Sequence, residues 1–129
     1  MISFSIEFNE ILPGSIWVVV ADTVRSGLKY YAKRVDDPLT DWIQEQEVCV
    51  SNGLAVRVPV EGRTYLAIII KKDSDLSTLV HESLHMAFYL LSHYDIPITM
   101  GDHEILCRTQ QAILNKILPE LKKRKVKLV

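Results

Sequence analysis

The chain has 129 residues, 48% of them apolar and 24% charged, with a formal net charge of −1. That length fits one domain large enough to bury a core, and the composition excludes a disordered or collagen-like chain. The near-neutral charge gives no argument for nucleic acid as the main partner, and no apolar run is long enough to span a bilayer.

The first segment, 2–8, alternates, with Ile2, Phe4, Ile6 and Phe8 on one face, and reads as a strand. It carries Glu7 and no basic cluster, so it does not read as a signal peptide. Pro13-Gly14 marks a turn, and Ile16–Ala21 is a short β-branched run typical of a buried strand. Asp22 or Thr23 caps a helix expected over about 23–35, where Val24, Leu28, Tyr31, Ala32 and Val35 recur at helical spacing. Gly27 costs that helix roughly 1 kcal/mol against alanine. Asp36-Asp37-Pro38 ends it, and 38–53 offers only a short helical turn around Asp41–Gln46.

Leu54, Val56, Val58 and Val60 alternate, Tyr65–Ile70 is almost wholly apolar, and Glu61-Gly62 between them signals a hairpin. The polar break at 71–75 supplies caps for a long helix from about Leu76 to Ser92, ended by Asp95-Ile96-Pro97. A second helix starts near Gly101 or Asp102 and runs to about Leu118, where Pro119 should break or kink it. The tail has five basic residues between Lys122 and Lys127, which read as a solvated helix end. The order fits an α+β (mixed α/β) domain: a small sheet with an N-terminal helix, a long helix and a C-terminal helix. The whole chain, 1–129, reads as one domain: N-terminal strands and helix over 1–52, a hairpin and two helices over 53–118, and the tail 119–129. Cys49 and Cys107 form no disulfide framework, so a reducing cytoplasm is the expected compartment.

The long helix carries His81-Glu82-Ser83-Leu84-His85, an H-E-x-x-H motif. Four residues make about one turn, so both imidazoles project from one face within reach of a single ion. Zn²⁺ takes imidazole nitrogen at about 2.0–2.1 Å. Glu82, about 100° round the helix from His81, lies beside that point as a general base for water. Thr78, Glu82, His85, Tyr89 and Ser92 share a polar sector with His81, while apolar residues fill most of the remainder. Ionisable groups on a greasy helix are costly to bury unless something pairs them, and a metal ion does so.

The motif resembles that of the zincin-type metallopeptidases. The stretch from about Gly53 to Ile117 looks most like the small zinc metallopeptidases of phages and prophages, on the segments LVHESLHMAFYLL and DHEILC. The resemblance implies Zn²⁺ as cofactor, a peptide or protein as substrate, and a phage or bacterial cytoplasm as setting. The metzincin pattern would need Gly at 88 and His at 91, where this chain has Phe88 and Leu91. The gluzincin-like branch implies an acidic third ligand on the next helix, for which Glu104 is first choice. His103 is the runner-up and Asp102 a further alternative. Arg108 stands where the larger gluzincins often have an acid, and small Cys107 would let that helix approach closely.

The expected function is therefore a zinc hydrolase, with a peptide as the favoured substrate, using His81, His85 and Glu104 as ligands and Glu82 as base. Two alternatives stay open: a non-catalytic zincin-like binding or regulatory module, and a structural zinc site closed by His103. Tyr65–Ile70 could pair with an extended substrate or be a central strand. Tyr89, His93, Tyr94 and His103 are weaker candidates for holding an intermediate.

Overall fold

Alternation along Ile2–Phe8 produces strand β1, with Phe4, Ile6 and Phe8 buried. Gly14–Ala21 forms β2, Val24–Val35 helix α1, Gly53–Val60 β3, Arg63–Lys71 β4, Leu76–His93 α2 and Glu104–Lys123 α3. The computed structural model describes residues 1–8, 14–35, 52–60, 63–99, 101 and 103–128. Pro13, Asp36-Asp37-Pro38, the helical turn around Asp41–Gln46, Cys49, Glu61-Gly62 and Asp102 lie outside the described residues.

The four strands make one mixed sheet in the order β1-β2-β4-β3. β1 runs antiparallel to β2, β2 parallel to β4, and β3 antiparallel to β4. β2 and β4 are central and apolar on both faces, as doubly covered strands must be. Val18, Val20, Ile68 and Ile70 face α2 and α3, whereas Val19, Ala21, Ala67 and Ile69 face α1. The fold is thus α+β, with helices on both sides of a small sheet. Tyr65–Ile70 is a central strand and has no free edge for a substrate. Among the described residues, the open edge on that side belongs to β3.

Helix α1 begins where Thr23 Oγ1 accepts the Ser26 N–H at 3.0 Å. Gly27 has a packing reason. A Cβ there would stand 2.7 Å from Ile69 Cγ2 and 3.1 Å from Ala21 Cβ, so glycine lets α1 lie flat on the sheet.

The register of β3 matters for the site. Asn52 C=O accepts the Lys71 N–H at 2.8 Å, which fixes the even-numbered residues of β3 as those bonded to β4. Gly53, Ala55, Arg57 and Pro59 therefore turn their backbone groups to the open edge. Pro59 has no N–H and is tolerated there because the ladder loses nothing.

Asp75 caps α2 by accepting from the Thr78 N–H at 3.1 Å. Leu79, Met86, Ala87, Leu90 and Leu91 are buried, and each large side chain contributes roughly 1.5–3 kcal/mol by leaving water. The helix is less enclosed than its composition suggests: Leu76, Val80, Leu84 and Phe88, spaced four apart, are about 40% exposed.

Helix α3 does not stop at Pro119 but continues to Lys123. Ile113, Ile117 and Leu121 form one buried stripe across the proline, while Pro119 lies on the exposed side. Core packing thus outweighs the one hydrogen bond that proline removes. Beyond α3, Lys125 adopts φ 58° and the chain folds back, with the Val126 N–H donating to Leu121 C=O at 2.9 Å. Val126 and Leu128 pack against the core and Arg124 lies 4.5 Å over the Phe4 ring. The basic tail is therefore docked on the sheet end instead of being a wholly solvated helix end.

Candidate active site

His81 and His85 sit on the solvent side of α2, one turn apart. Their Nε2 atoms are 3.2 Å from each other, with ring centroids 4.8 Å apart and planes at 75°. Two nitrogens each about 2.0–2.1 Å from a tetrahedral ion stand about 3.3 Å apart. Both rings thus already present the same nitrogen at the spacing a shared Zn²⁺ needs. The spacing is compatible with a shared ion, for which this pair supplies two ligands.

Glu82 differs from its neighbours in burial, with only 7% of its surface exposed. One carboxylate oxygen lies 3.8 Å from His81 Nε2, and the carboxylate accepts the Ala55 N–H from the open edge of β3. Burial raises its pKa above the ordinary value, and His81, His85 and the Ala55 amide pull it partly back. A carboxylate shifted upward beside a cleft is the type of group that takes and returns protons.

Close approach of α2 to β3 depends on Gly53. A Cβ at that position would meet Thr78 Cγ2 at 2.7 Å and Glu82 Cγ at 2.9 Å. A cavity of about 450 Å³ opens here, lined by Asn52, Gly53, Ser77, Thr78, His81 and Glu82. Past His85, a second cavity of about 510 Å³ has Arg57 on one wall and Phe88 and Tyr89 on another. The Tyr89 ring is stacked 6.5 Å from that of His85. Two separate cavities thus lie between α2 and β3, one beside Gly53 and His81 and one beside Arg57 and Tyr89.

The α3 residues fall differently. α3 runs back along α2, with Gln110 Nε2 donating to Val80 C=O at 3.0 Å, immediately before His81. Glu104 is six residues earlier, about 1.7 turns and about 9 Å along the axis. It lies toward the C-terminal end of α2, is 68% exposed, and accepts from Arg108 Nε at 2.9 Å. His103 is exposed at the start of α3 and makes no side-chain cap. Among the described residues no group of three or more His, Cys, Asp or Glu is assembled to hold an ion. The structure thus brings His81, His85 and Glu82 together and leaves Glu104 paired with Arg108. Cys107 is exposed, with a free thiol. His93 and Tyr94 form their own edge-on pair, 5.0 Å apart, at the end of α2.

Sequence reasoning missed Gly53, Ala55 and Gln110. Gly53 preceding an alternating strand was the available signal, since a glycine at a strand start often marks a close approach. Comparison with family models, curated proteins and solved structures found no match.

Proposed function

We propose that the protein is a zinc-dependent hydrolase acting on peptides. The observation that carries this reading is the 3.2 Å separation of the His81 and His85 Nε2 atoms beside the buried carboxylate of Glu82. His81 and His85 would hold the ion, with Glu104 as the proposed third ligand once its carboxylate exchanges Arg108 for the metal. Bound Zn²⁺ supplies Lewis acidity toward a carbonyl oxygen and makes water acidic near neutrality.

Glu82 would take a proton from the attacking water and deliver it to the leaving amine. The Ala55 amide holds the carboxylate in place and keeps it from rotating away from the histidines. A peptide as substrate is favoured by the edge of β3, where the N–H and C=O of Arg57 turn away from β4 beside the second cavity. An extended chain can pair there as an added strand. Incubating the zinc-loaded protein with a peptide library, alongside the Glu82→Gln variant, tests this. Cleavage by the wild type alone supports it, and no cleavage by either sinks the hydrolase reading.

A further inference from the structure

The two parallel strands of the sheet create a second crevice, away from the histidines. β2 and β4 are neighbours, and the chain leaves β2 into α1 on one face but leaves β4 into α2 on the other. Small ligands of open sheets settle outside the carboxyl ends of parallel strands where successive connections part to opposite faces. At that place the structure has a cavity of about 370 Å³. Its floor is apolar, with Ile2 and Val20. Its rim is charged: Asp22 follows β2, Lys72 and Asp73 follow β4, and Lys125 and Lys127 come from the folded-back tail. The left-handed backbone of Asp73 (φ 67°) and Lys125 (φ 58°) turns the chain at two of these rim positions. The Lys72 N–H donates to Ala21 C=O at 2.6 Å and ties the two strand ends together.

We propose that this crevice binds a small phosphate ester carrying free hydroxyl groups. Three lysines line it, from two separate segments, and their ammonium groups suit a doubly charged phosphate. Two carboxylates on the same rim would repel a bare anion, but they accept hydrogen bonds from hydroxyls. A ligand with phosphate at one end and hydroxyls at the other satisfies both sets. Val126 anchors the folded-back tail on the core, and this places Lys125 and Lys127 in the lining of the crevice.

The test is calorimetric titration of the full chain with ribose 5-phosphate, inorganic phosphate and ribose. Ribose 5-phosphate should bind at least about tenfold more tightly than either fragment, since each set of charge-assisted bonds is worth about a factor of ten or more. Lys125→Gln/Lys127→Gln should weaken it at least about tenfold, and Lys72→Gln, on the opposite wall, gives the same readout independently of the tail. Asp22→Asn/Asp73→Asn should narrow the preference over inorganic phosphate. Absence of binding at millimolar ligand, equal binding of ribose and ribose 5-phosphate, equal binding of ribose 5-phosphate and inorganic phosphate, or full affinity in the lysine variants overturns the proposal.

Discussion

The carboxylate of Glu82 on α2 accepts the backbone N–H of Ala55 on the open edge of β3. One contact therefore joins the helix that carries both histidines to the strand that borders both cavities. It also restrains a buried acid that lies beside His81. Glu82→Gln is expected to keep this link, because the amide oxygen can still accept from Ala55. The variant should retain zinc and fold but lose hydrolysis by at least about 100-fold, the usual contribution of a general base. Metal content and single-turnover cleavage measure the two effects separately, and undiminished turnover removes Glu82 from the chemistry.

The 3.2 Å spacing of the imidazole nitrogens makes a metal prediction. His81→Ala and His85→Ala should each lose zinc and lose the rise in Tm that zinc gives the wild type. An ion that binds only the folded state raises stability by about 2.7 kcal/mol at a hundred times its Kd. Calorimetry with and without added zinc reads this. Full zinc retention in the double alanine variant would refute the site.

Gly53 tests the helix–strand approach. Gly53→Ala places a methyl 2.7 Å from Thr78 Cγ2 and 2.9 Å from Glu82 Cγ, so these side chains or the helix that carries them must shift. Overpacking of this kind costs about 1–3 kcal/mol. Urea denaturation should show that loss, with slower hydrolysis alongside. Unchanged stability and rate would show that the contact is not needed.

Asp75 gives a pH dependence. The hydroxyls of Thr78 and Ser77, then the Thr78 backbone amide, hold its carboxyl below the ordinary value. A depressed folded-state pKa means that the ionised cap stabilises the fold above the unfolded value of about 3.9. That contribution fades as pH falls through the lower folded-state value. Asp75→Asn is nearly isosteric and removes only the charge. Its Tm deficit should be greatest above about pH 5 and shrink in acid, and a deficit constant across pH would show that the charge is irrelevant.

The third ligand is open to a direct comparison. Glu104→Ala should cost more zinc affinity than His103→Ala if the proposed exchange from Arg108 to metal takes place. Competitive chelator titration ranks the two. A larger loss for His103→Ala reassigns the ligand, and no loss for either removes both.

Much of this was readable in the sequence because periodicity reports burial. The alternation of Ile2, Phe4, Ile6 and Phe8 and the helical spacing of Val24, Leu28, Tyr31 and Ala32 each marked one face of one element, and those faces are buried. The histidine pair was legible for the same local reason, since i and i+4 meet on any helix. Long-range relations were not. Which strand lies at an edge depends on sheet order, so Tyr65–Ile70 could not be placed until β2 was seen to flank it. Pro119 misled because its local cost is offset by Ile117 and Leu121, whose burial depends on α3 docking. The exposed row Leu76, Val80, Leu84 and Phe88 was hidden for a related reason: an apolar side chain gives no sign of whether a neighbour will arrive to cover it.

Pro59 limits what the open edge of β3 can recruit. A bare strand edge invites a second copy of itself, and repeated pairing of that kind grows into fibrils. An incoming strand can be matched at Arg57 and then meets, two residues on, a ring nitrogen with no hydrogen to give. The edge is left with room for a short guest, while the proline denies a template to an endless ribbon.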